Sequence, residues 1–156
     1  MVADVDDAKL DEMLRAARQI MRRAYAPYSG FLVGAALLNE DGAIRSGVNI
    51  ENASYPLSVC AERNAVAAMI LAGQHRILAV AVATQAERPT PPCGGCRQVL
   101  FEFGLADAPI VTEGAEGVRK RWRLGDILPD AFGPDDLAAA ATRSAGDAAA
   151  EQRGQR

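Results

Sequence analysis

Three cysteines and a glutamate lie in two short motifs that could hold a metal ion. Cys60 and Glu62 belong to the motif C-A-E, and Cys93 and Cys96 belong to the motif P-C-G-G-C. Cys93 and Cys96 are one helical turn apart, so both sulfurs can project to the same side of a helix. Cys60 lies near the start of another predicted helix. Helix N-termini favour thiolates, and two such ends facing each other would bring three thiolates around one zinc ion.

The number of donors predicts a catalytic rather than a structural zinc site. The chain has three cysteines and one histidine. Three protein ligands leave the fourth tetrahedral position open for water. His75 lies in a polar turn away from both motifs, and we interpret it as a solvated loop residue. Glu62 is too near Cys60 in sequence to be a fourth ligand, yet close enough to the open position to transfer protons there.

Two arginines directly follow the metal-binding motifs. Arg63 comes after Glu62, and Arg97 comes after Cys96. Zinc with three thiolates carries a net negative charge, which opposes the ionisation of a bound water. Arginine hydrogen bonds to the ligand sulfurs would withdraw that charge. We therefore expect Arg63 and Arg97 to tune the zinc ion from outside its ligand set.

Hydrophobic periodicity places these motifs in an alternation of helices and strands. Apolar residues at steps of three and four predict a helix over residues 7–25. A turn ending in Asp41-Gly42 predicts a β-hairpin. Further helices are predicted over residues 58–71 and 93–103, and strands over residues 31–38, 43–50, 77–84, 109–112 and 118–124. This order implies helices packed on a mixed sheet.

The composition is that of a globular protein with a single core. The chain has 156 residues, of which 49% are hydrophobic and 24% are charged. Residues 1–137 are expected to form one folded domain. Residues 138–156 are mostly small or polar and have no large apolar side chain to bury, so we expect a flexible Ala-rich tail.

Charge and hydropathy argue against membrane and nucleic-acid partners. The formal net charge is -3 and the isoelectric point is near 5.2. No apolar run approaches the roughly 20 residues that a membrane-spanning helix needs. The first residues are acidic where a secretory signal would be basic. A cytoplasmic location without membrane or nucleic-acid binding is the expectation.

Beyond the zinc motifs, three further segments resemble the cytidine deaminase family, in its small homotetrameric, three-cysteine branch. They are Y-A-P-Y-S-G-F-L-V-G-A-A (25–36), G-V-N-I-E-N-A-S-Y (47–55) and L-P-D-A-F-G-P (128–134). Matching runs cover about residues 8 to 137. The resemblance implies an α/β fold, a three-layer α/β/α sandwich around a mixed five-stranded sheet. It also implies one zinc ion per subunit and a homotetramer with shared active sites.

The activity implied by this resemblance is hydrolytic deamination of cytidine and 2′-deoxycytidine to uridine and 2′-deoxyuridine, with release of ammonia, as in pyrimidine salvage. Zinc-bound hydroxide would attack C4 of the base, and Glu62 would be the proton shuttle. The zinc ligands would be Cys60, Cys93 and Cys96.

The same resemblance implies which residues bind the nucleoside. Asn49 and Glu51 would hold the ribose 3′-hydroxyl, for which an amide donor and a carboxylate acceptor are chemically suited. Phe31 would pack on the pyrimidine. The backbone at Ala61, together with Glu62, would read the edge of the base.

Three more residues are implied to lie at the boundary with a neighbouring subunit. Phe132 would reach the pocket of that neighbour, and Ala53 and Tyr55 would lie at the same boundary. Each of these side chains could instead fill a core or an ordinary interface.

Two alternative functions stay open at this stage. A deaminase of the same fold could act on a modified cytosine nucleoside, such as an aminoacyl-nucleoside antibiotic. A nucleic-acid cytosine editor is a second alternative, supported by the basic run R-K-R-W-R over residues 119–123. The overall acidity and the absence of further basic stretches argue against the editor.

Overall fold

The structure is a computed structural model, and it describes residues 5–138. Its helices are α1 (Asp7–Met21), α2 (Ala61–Leu71) and α3 (Gly94–Phe103). Its strands are β1 (Val33–Asn39), β2 (Ile44–Val48), β3 (Ile77–Thr84), β4 (Pro109–Glu113) and β5 (Arg119–Arg123). Short 3-10 helices cover Tyr55–Leu57 and Gly125–Ile127. Every predicted helix and strand is therefore present, in the predicted order.

The strands form one mixed sheet in the order β2-β1-β3-β4-β5. β1 is antiparallel to both β2 and β3, β3 is parallel to β4, and β4 is antiparallel to β5. Helix α3 lies in the connection between the parallel strands, as such a crossover requires. α1 packs on one face of the sheet, and α2 and α3 pack on the other. The predicted α/β/α sandwich around a mixed five-stranded sheet is confirmed.

Strand β3 lies at the centre of the sheet and is apolar along most of its length because both of its faces are covered. Val80 and Val82 point into the core on the side of α2 and α3. The alternate positions carry small side chains, at Ala79, Ala81 and Ala83, which contact α1. A helix can approach the sheet closely over alanines, so α1 packs directly on these positions of β3.

Two helices are shorter than their sequence patterns predict, because their ends pair with the chain after β2. Tyr25 and Val59 both form β-bridges with Ile50. The Tyr25 amide donates to the Asn49 carbonyl at 3.0 Å, and Ile50 and Val59 exchange two bonds of 2.9 Å. Backbone in such an extended pairing cannot continue a helix, so α1 stops before residue 25 and α2 starts after residue 58. Residues 49–51 consequently lie between the backbone at Tyr25 and the backbone at Val59, and both hydrogen-bond to them.

Gly47 in β2 allows the hairpin to lie directly on the first turns of α2. A Cβ atom at this position would lie 2.3 Å from the amide nitrogen of Ala65 and 2.5 Å from the carbonyl oxygen of Ala61. Any larger residue would have to push the helix away. This contact fixes the start of α2, with Cys60 and Glu62, against the strand that leads to residues 49–51.

Two of the four basic residues on β5, Arg119 and Arg121, pair with carboxylates. Arg119 forms ion pairs with Asp11 and with the buried Glu113, the latter at 2.6 Å from its Nε. Arg121 lies 3.3 Å from Asp7. Trp122 packs against the core instead of facing solvent as a stacking platform. These contacts connect β5 to α1.

Within residues 5–138 no helix combines the length and the apolar character needed to cross a membrane. The predicted tail lies outside the described residues, apart from Ala138, which belongs to a helical segment at residues 134–138. The domain boundary at residue 137 stays a prediction.

Candidate active site

Two helix N-termini bring the three cysteine sulfurs together. Cys60 is the N-cap residue of α2, and Cys93 is the N-cap residue of α3. Cys96 lies in the first turn of α3, and its backbone amide donates a hydrogen bond to the Cys93 sulfur at 3.5 Å. The three sulfur atoms all lie within 4.8 Å of one another, with 3.9 Å between Cys60 Sγ and Cys93 Sγ.

This cluster fits a zinc ion in both its donor set and its spacing. Tetrahedral zinc with bonds of about 2.3 Å separates two sulfur ligands by about 3.8 Å, close to the 3.9 Å between Cys60 and Cys93. Within residues 5–138, these three sulfurs are the group of donors near enough to share one ion. His75 is exposed in a turn, as predicted. Three protein ligands leave one tetrahedral position for water or substrate.

The thiols of the cluster differ in acidity. Hydrogen bonds with Cys96 and Cys93, together with the nearby charge of Arg63, outweigh burial and lower the pKa of Cys60 to about 6. The hydrogen bond to Cys60, burial and the Glu62 charge raise the pKa of Cys96. One thiolate therefore forms readily at neutral pH. A metal cation that binds here must displace the remaining protons.

Glu62 lies beside the cluster in the first turn of α2. It is only 5% exposed, and it lines the same cavity as Cys60 and Cys93. Burial raises the pKa of its carboxyl group. A buried carboxyl next to an open metal position can take a proton from a water molecule and release it again.

A cavity of about 200 Å³ opens beside these groups. It brings together seven of the residues that the sequence predicted for the site: Phe31, Asn49, Glu51, Cys60, Ala61, Glu62 and Cys93. Residues from both motifs and from the β-hairpin thus share one space, although they are far apart along the chain.

The carboxylate of Glu51 is fixed by the loop before β1. One oxygen accepts hydrogen bonds from the backbone amides of Tyr28 and Ser29, at 2.9 and 3.1 Å, and the other accepts from the Ser29 hydroxyl. The hydroxyl bond and the two amide bonds lower the pKa of Glu51. The carboxylate is therefore ionised and oriented before any ligand binds.

The amide of Asn49 clamps the start of β1. Its oxygen accepts from the Val33 amide at 2.8 Å, and its nitrogen donates to the Phe31 carbonyl at 2.8 Å. One N–H of the amide and one lone pair of its oxygen remain for a ligand, so Asn49 can still donate to a bound hydroxyl. The same bonds set the position of Phe31 on the cavity wall.

Comparison with known families decides the class of this protein. The family model described as "Cytidine and deoxycytidylate deaminase zinc-binding region" matches residues 7–112. The chain belongs to the cytidine and deoxycytidylate deaminase family. The resemblance predicted from the sequence is confirmed, and with it a zinc-dependent hydrolytic deaminase, in which the cysteine cluster could hold the metal ion.

Individual relatives agree with this assignment over most of the chain. The protein is 49% identical over 126 residues to the cytidine deaminase of Mycobacterium tuberculosis, a match that covers 80% of this chain and 91% of that one. It is 42% identical over 125 residues to the cytidine deaminase of Halalkalibacterium halodurans, covering 80% and 95%. The crystal structure of cytidine deaminase from Burkholderia pseudomallei superposes with a TM-score of 0.75 at 43% identity, covering 78% and 98%.

In this deaminase the two arginines next to the zinc motifs have different surroundings. The charge of Arg63 contributes to the lowered pKa of Cys60. Arg97 instead donates from Nε to the Pro92 carbonyl at 2.8 Å and from Nη1 to the Ile127 carbonyl at 2.9 Å. Among the described residues it donates to no cysteine sulfur, unlike the contact expected from its place in sequence.

The residues predicted at a subunit boundary lie outside the cavity of the single deaminase chain. Ala53 is exposed, Tyr55 is 70% exposed and Phe132 is 59% exposed. The ring of Tyr55 makes an edge-to-face contact with Tyr28, at 5.8 Å between centroids. Within residues 5–138 nothing buries these three side chains.

The deaminase cavity also contains residues that sequence reasoning did not single out. Ser29 holds Glu51, and the hydroxyls of Thr84 and Thr90 lie 3.5 Å apart on the cavity wall. A signal for two of them was available: Ser29 belongs to a matched segment, and Thr90 directly precedes the P-P-C entry to the zinc motif. Thr84 is recognised as a cavity residue only from the fold, because the end of β3 lies at the cavity.

Proposed function

We propose that this protein catalyses the hydrolytic deamination of cytidine and 2′-deoxycytidine to uridine and 2′-deoxyuridine, with release of ammonia. One observation carries the proposal: a single cavity is lined both by Glu62 with the thiol cluster and by the oriented pair Asn49 and Glu51. The first set suits the chemistry at an aminopyrimidine, and the second suits a sugar hydroxyl. The relatives that bear the name cytidine deaminase cover most of the chain.

Glu62 supplies the proton transfers of this reaction. A zinc ion bound to the three cysteines supplies a Lewis acid that acidifies water. As a water oxygen adds to C4 of the base, Glu62 accepts a proton from that water and delivers it to N3. Glu62 then takes the remaining proton of the oxygen added to C4 and transfers it to the 4-amino group, so that the C4–N bond breaks, ammonia leaves and the C4=O bond of the product forms. The carboxylate begins and ends in the same state, so protons balance over the cycle.

Glu51 and Asn49 recognise the sugar. Glu51 presents remaining lone pairs as acceptors because only some are used by Tyr28 and Ser29. Asn49 presents its free N–H as a donor. A hydroxyl group is both donor and acceptor, so a 3′-hydroxyl matches this pair.

The direct test is conversion of cytidine and 2′-deoxycytidine, followed by the loss of cytosine absorbance and by ammonia release. Turnover of both nucleosides supports the proposal. A protein that is inert on both but deaminates an aminoacylated cytosine nucleoside would replace it with the alternative substrate class.

Replacing Ser29 with Ala is expected to raise the KM for cytidine about three- to tenfold with little change in kcat, because one hydrogen bond that orients Glu51 is lost. Steady-state kinetics measures this effect. With 3′-deoxycytidine, which lacks the hydroxyl that Glu51 would bind, wild type and variant should have similar KM values. An equal rise in KM for both nucleosides would show that Ser29 acts through Phe31 instead. The Ser29 hydroxyl also accepts a hydrogen bond from the Phe31 amide, at 3.0 Å.

We also propose that the protein forms a homotetramer in which Phe132 enters the pocket of a neighbouring subunit. The exposed aromatic rings of Tyr55 and Phe132 support it, because an isolated chain would leave both in water. Ala53 and Tyr55 would lie along the same boundary.

Mixing two inactive variants tests whether sites are shared. Phe132→Ala and Glu62→Gln should each have low activity alone. If Phe132 serves a neighbour, then mixed assemblies from equal amounts should regain about a quarter of the sites, since a Phe132→Ala subunit keeps its own Glu62 and borrows Phe132. Activity after co-refolding measures this recovery. Low activity in the mixture, with normal tetramers by sedimentation, would mean that each active site is formed by one chain alone.

A further inference from the structure

The first turn of α3 makes contacts in two directions. Toward the thiol cluster it carries Cys93 and Cys96. On another side it contacts residues 127–133, here called the arm, which include the exposed Phe132. Gln98 donates from Nε2 to the Phe132 carbonyl at 2.7 Å, and Arg97 donates to the Ile127 carbonyl at 2.9 Å.

Arg97 connects the arm to the peptide that enters the thiol cluster. Its Nε donates to the carbonyl of Pro92, the residue directly before Cys93, at 2.8 Å. The guanidinium is a planar fork with fixed donor directions. Two carbonyls held by one such fork keep a fixed separation, so a shift of either Pro92 or Ile127 is transmitted to the other.

The arm packs closely on α3 and has limited room to adjust. A Cβ atom on Gly133 would lie 3.1 Å from a ring carbon of Phe101, so the backbone there lies directly on the helix. Ile127 packs against the core at the other end. Between these points the Phe132 carbonyl is fixed while its side chain stays 59% exposed. The arm therefore presents this side chain outward from a defined backbone position.

We propose that Arg97 is a positioning residue that couples the zinc loop, residues 92–96, to the arm. Because coupling is reciprocal, loss of zinc loosens the arm, and loss of the Arg97 fork weakens zinc retention. The coupling depends on the geometry of two carbonyl contacts and not on the charge of Arg97. This inference deepens the proposed function, since it rests on zinc binding by Cys93 and on the use of Phe132 at a subunit boundary.

Hydrogen exchange of the intact protein tests the first half of the proposal. Zinc-loaded and zinc-stripped wild-type protein are compared by mass spectrometry of peptides that cover the zinc loop and the arm. Stripping zinc is expected to speed amide exchange in the arm as well as in the loop. Exchange in the arm that is indifferent to zinc would overturn the proposal. This comparison needs no variant.

Arg97→Lys tests the second half, because lysine keeps the charge and loses the fork. We expect zinc affinity, measured by competition with a chromophoric chelator, to fall about tenfold, and the arm to exchange quickly with or without zinc. Affinity and exchange equal to those of wild type would mean that charge alone matters, which would overturn the proposal.

Gln98→Met is the matched control, since it is similar in length, adds no charge and loses the donor to the Phe132 carbonyl. It should speed exchange around Phe132, whereas the Arg97 bond to Ile127 is kept and zinc affinity stays within about twofold of wild type. A loss of zinc affinity equal to that of Arg97→Lys would show a general weakening of α3 and count against a specific role of Arg97. Zinc binding that survives in the Cys93→Ala variant would instead contradict the proposed function.

Discussion

Replacing Glu62 with Gln is expected to lower kcat for cytidine by about a thousandfold, within the range of general acid–base contributions, while zinc stays bound. The amide keeps the size and polarity of the side chain but cannot accept the proton of the attacking water. The three sulfur ligands are unchanged. Steady-state assays of cytidine loss measure kcat, and the zinc content of the same samples shows whether the metal stays bound.

Glu102→Gln provides the matched control for this experiment. It makes the same chemical change on the exposed side of α3, away from the cavity. Its kcat and zinc content should equal those of wild type. A Glu62→Gln enzyme that turns over near the wild-type rate would contradict the assigned proton shuttle. Loss of zinc from that variant would place Glu62 in the metal site itself.

Replacing Cys93 is expected to abolish zinc binding and to reduce turnover to the background rate, because one of only three protein ligands is lost. Cys93 also caps α3, with its sulfur accepting the Cys96 amide at 3.5 Å. Zinc content after dialysis against a mild chelator, together with cytidine turnover, measures the outcome.

Comparing two replacements separates the ligand role of Cys93 from its capping role. Cys93→Ser keeps a good N-cap oxygen, whereas Cys93→Ala removes the cap. Both variants should lose zinc and activity. Without metal, the serine variant should be more stable than the alanine variant by about 1 kcal/mol, measured by denaturant unfolding. Full zinc content and normal turnover in either variant would contradict the assignment of Cys93 as a ligand.

The metal site was predictable from the sequence because its residues lie in two local motifs. Cys93 and Cys96 are one helical turn apart, and Cys60 caps its own helix, so short-range geometry already directs the sulfurs. Central strand β3 was predictable for a similar reason, since its apolar run reflects burial on both faces. Both features depend on neighbours along the chain.

Features that depend on distant backbone were predicted less well. The pattern of α1 continues to residue 25, but pairing with Ile50 ends the helix earlier. The place of Arg97 next to Cys96 suggested a sulfur contact, but the carbonyls of Pro92 and Ile127 receive its donors. The carboxylate partners of the basic run on β5, Asp7 and Asp11 of α1, could not be predicted from the sequence because they lie more than 100 residues away along the chain.

The sequence by itself determined the reactive groups: three thiols for one metal and the glutamate beside them. Only the tertiary structure decided how Asn49 and Glu51, the proposed sugar-binding pair, come to share their cavity. Close contact at Gly47 and pairing at Ile50 place Asn49 and Glu51 beside the start of α2. Such contacts form between segments that are far apart in the chain. They depend on how whole helices and strands pack and hydrogen-bond, so a local sequence pattern does not predict them.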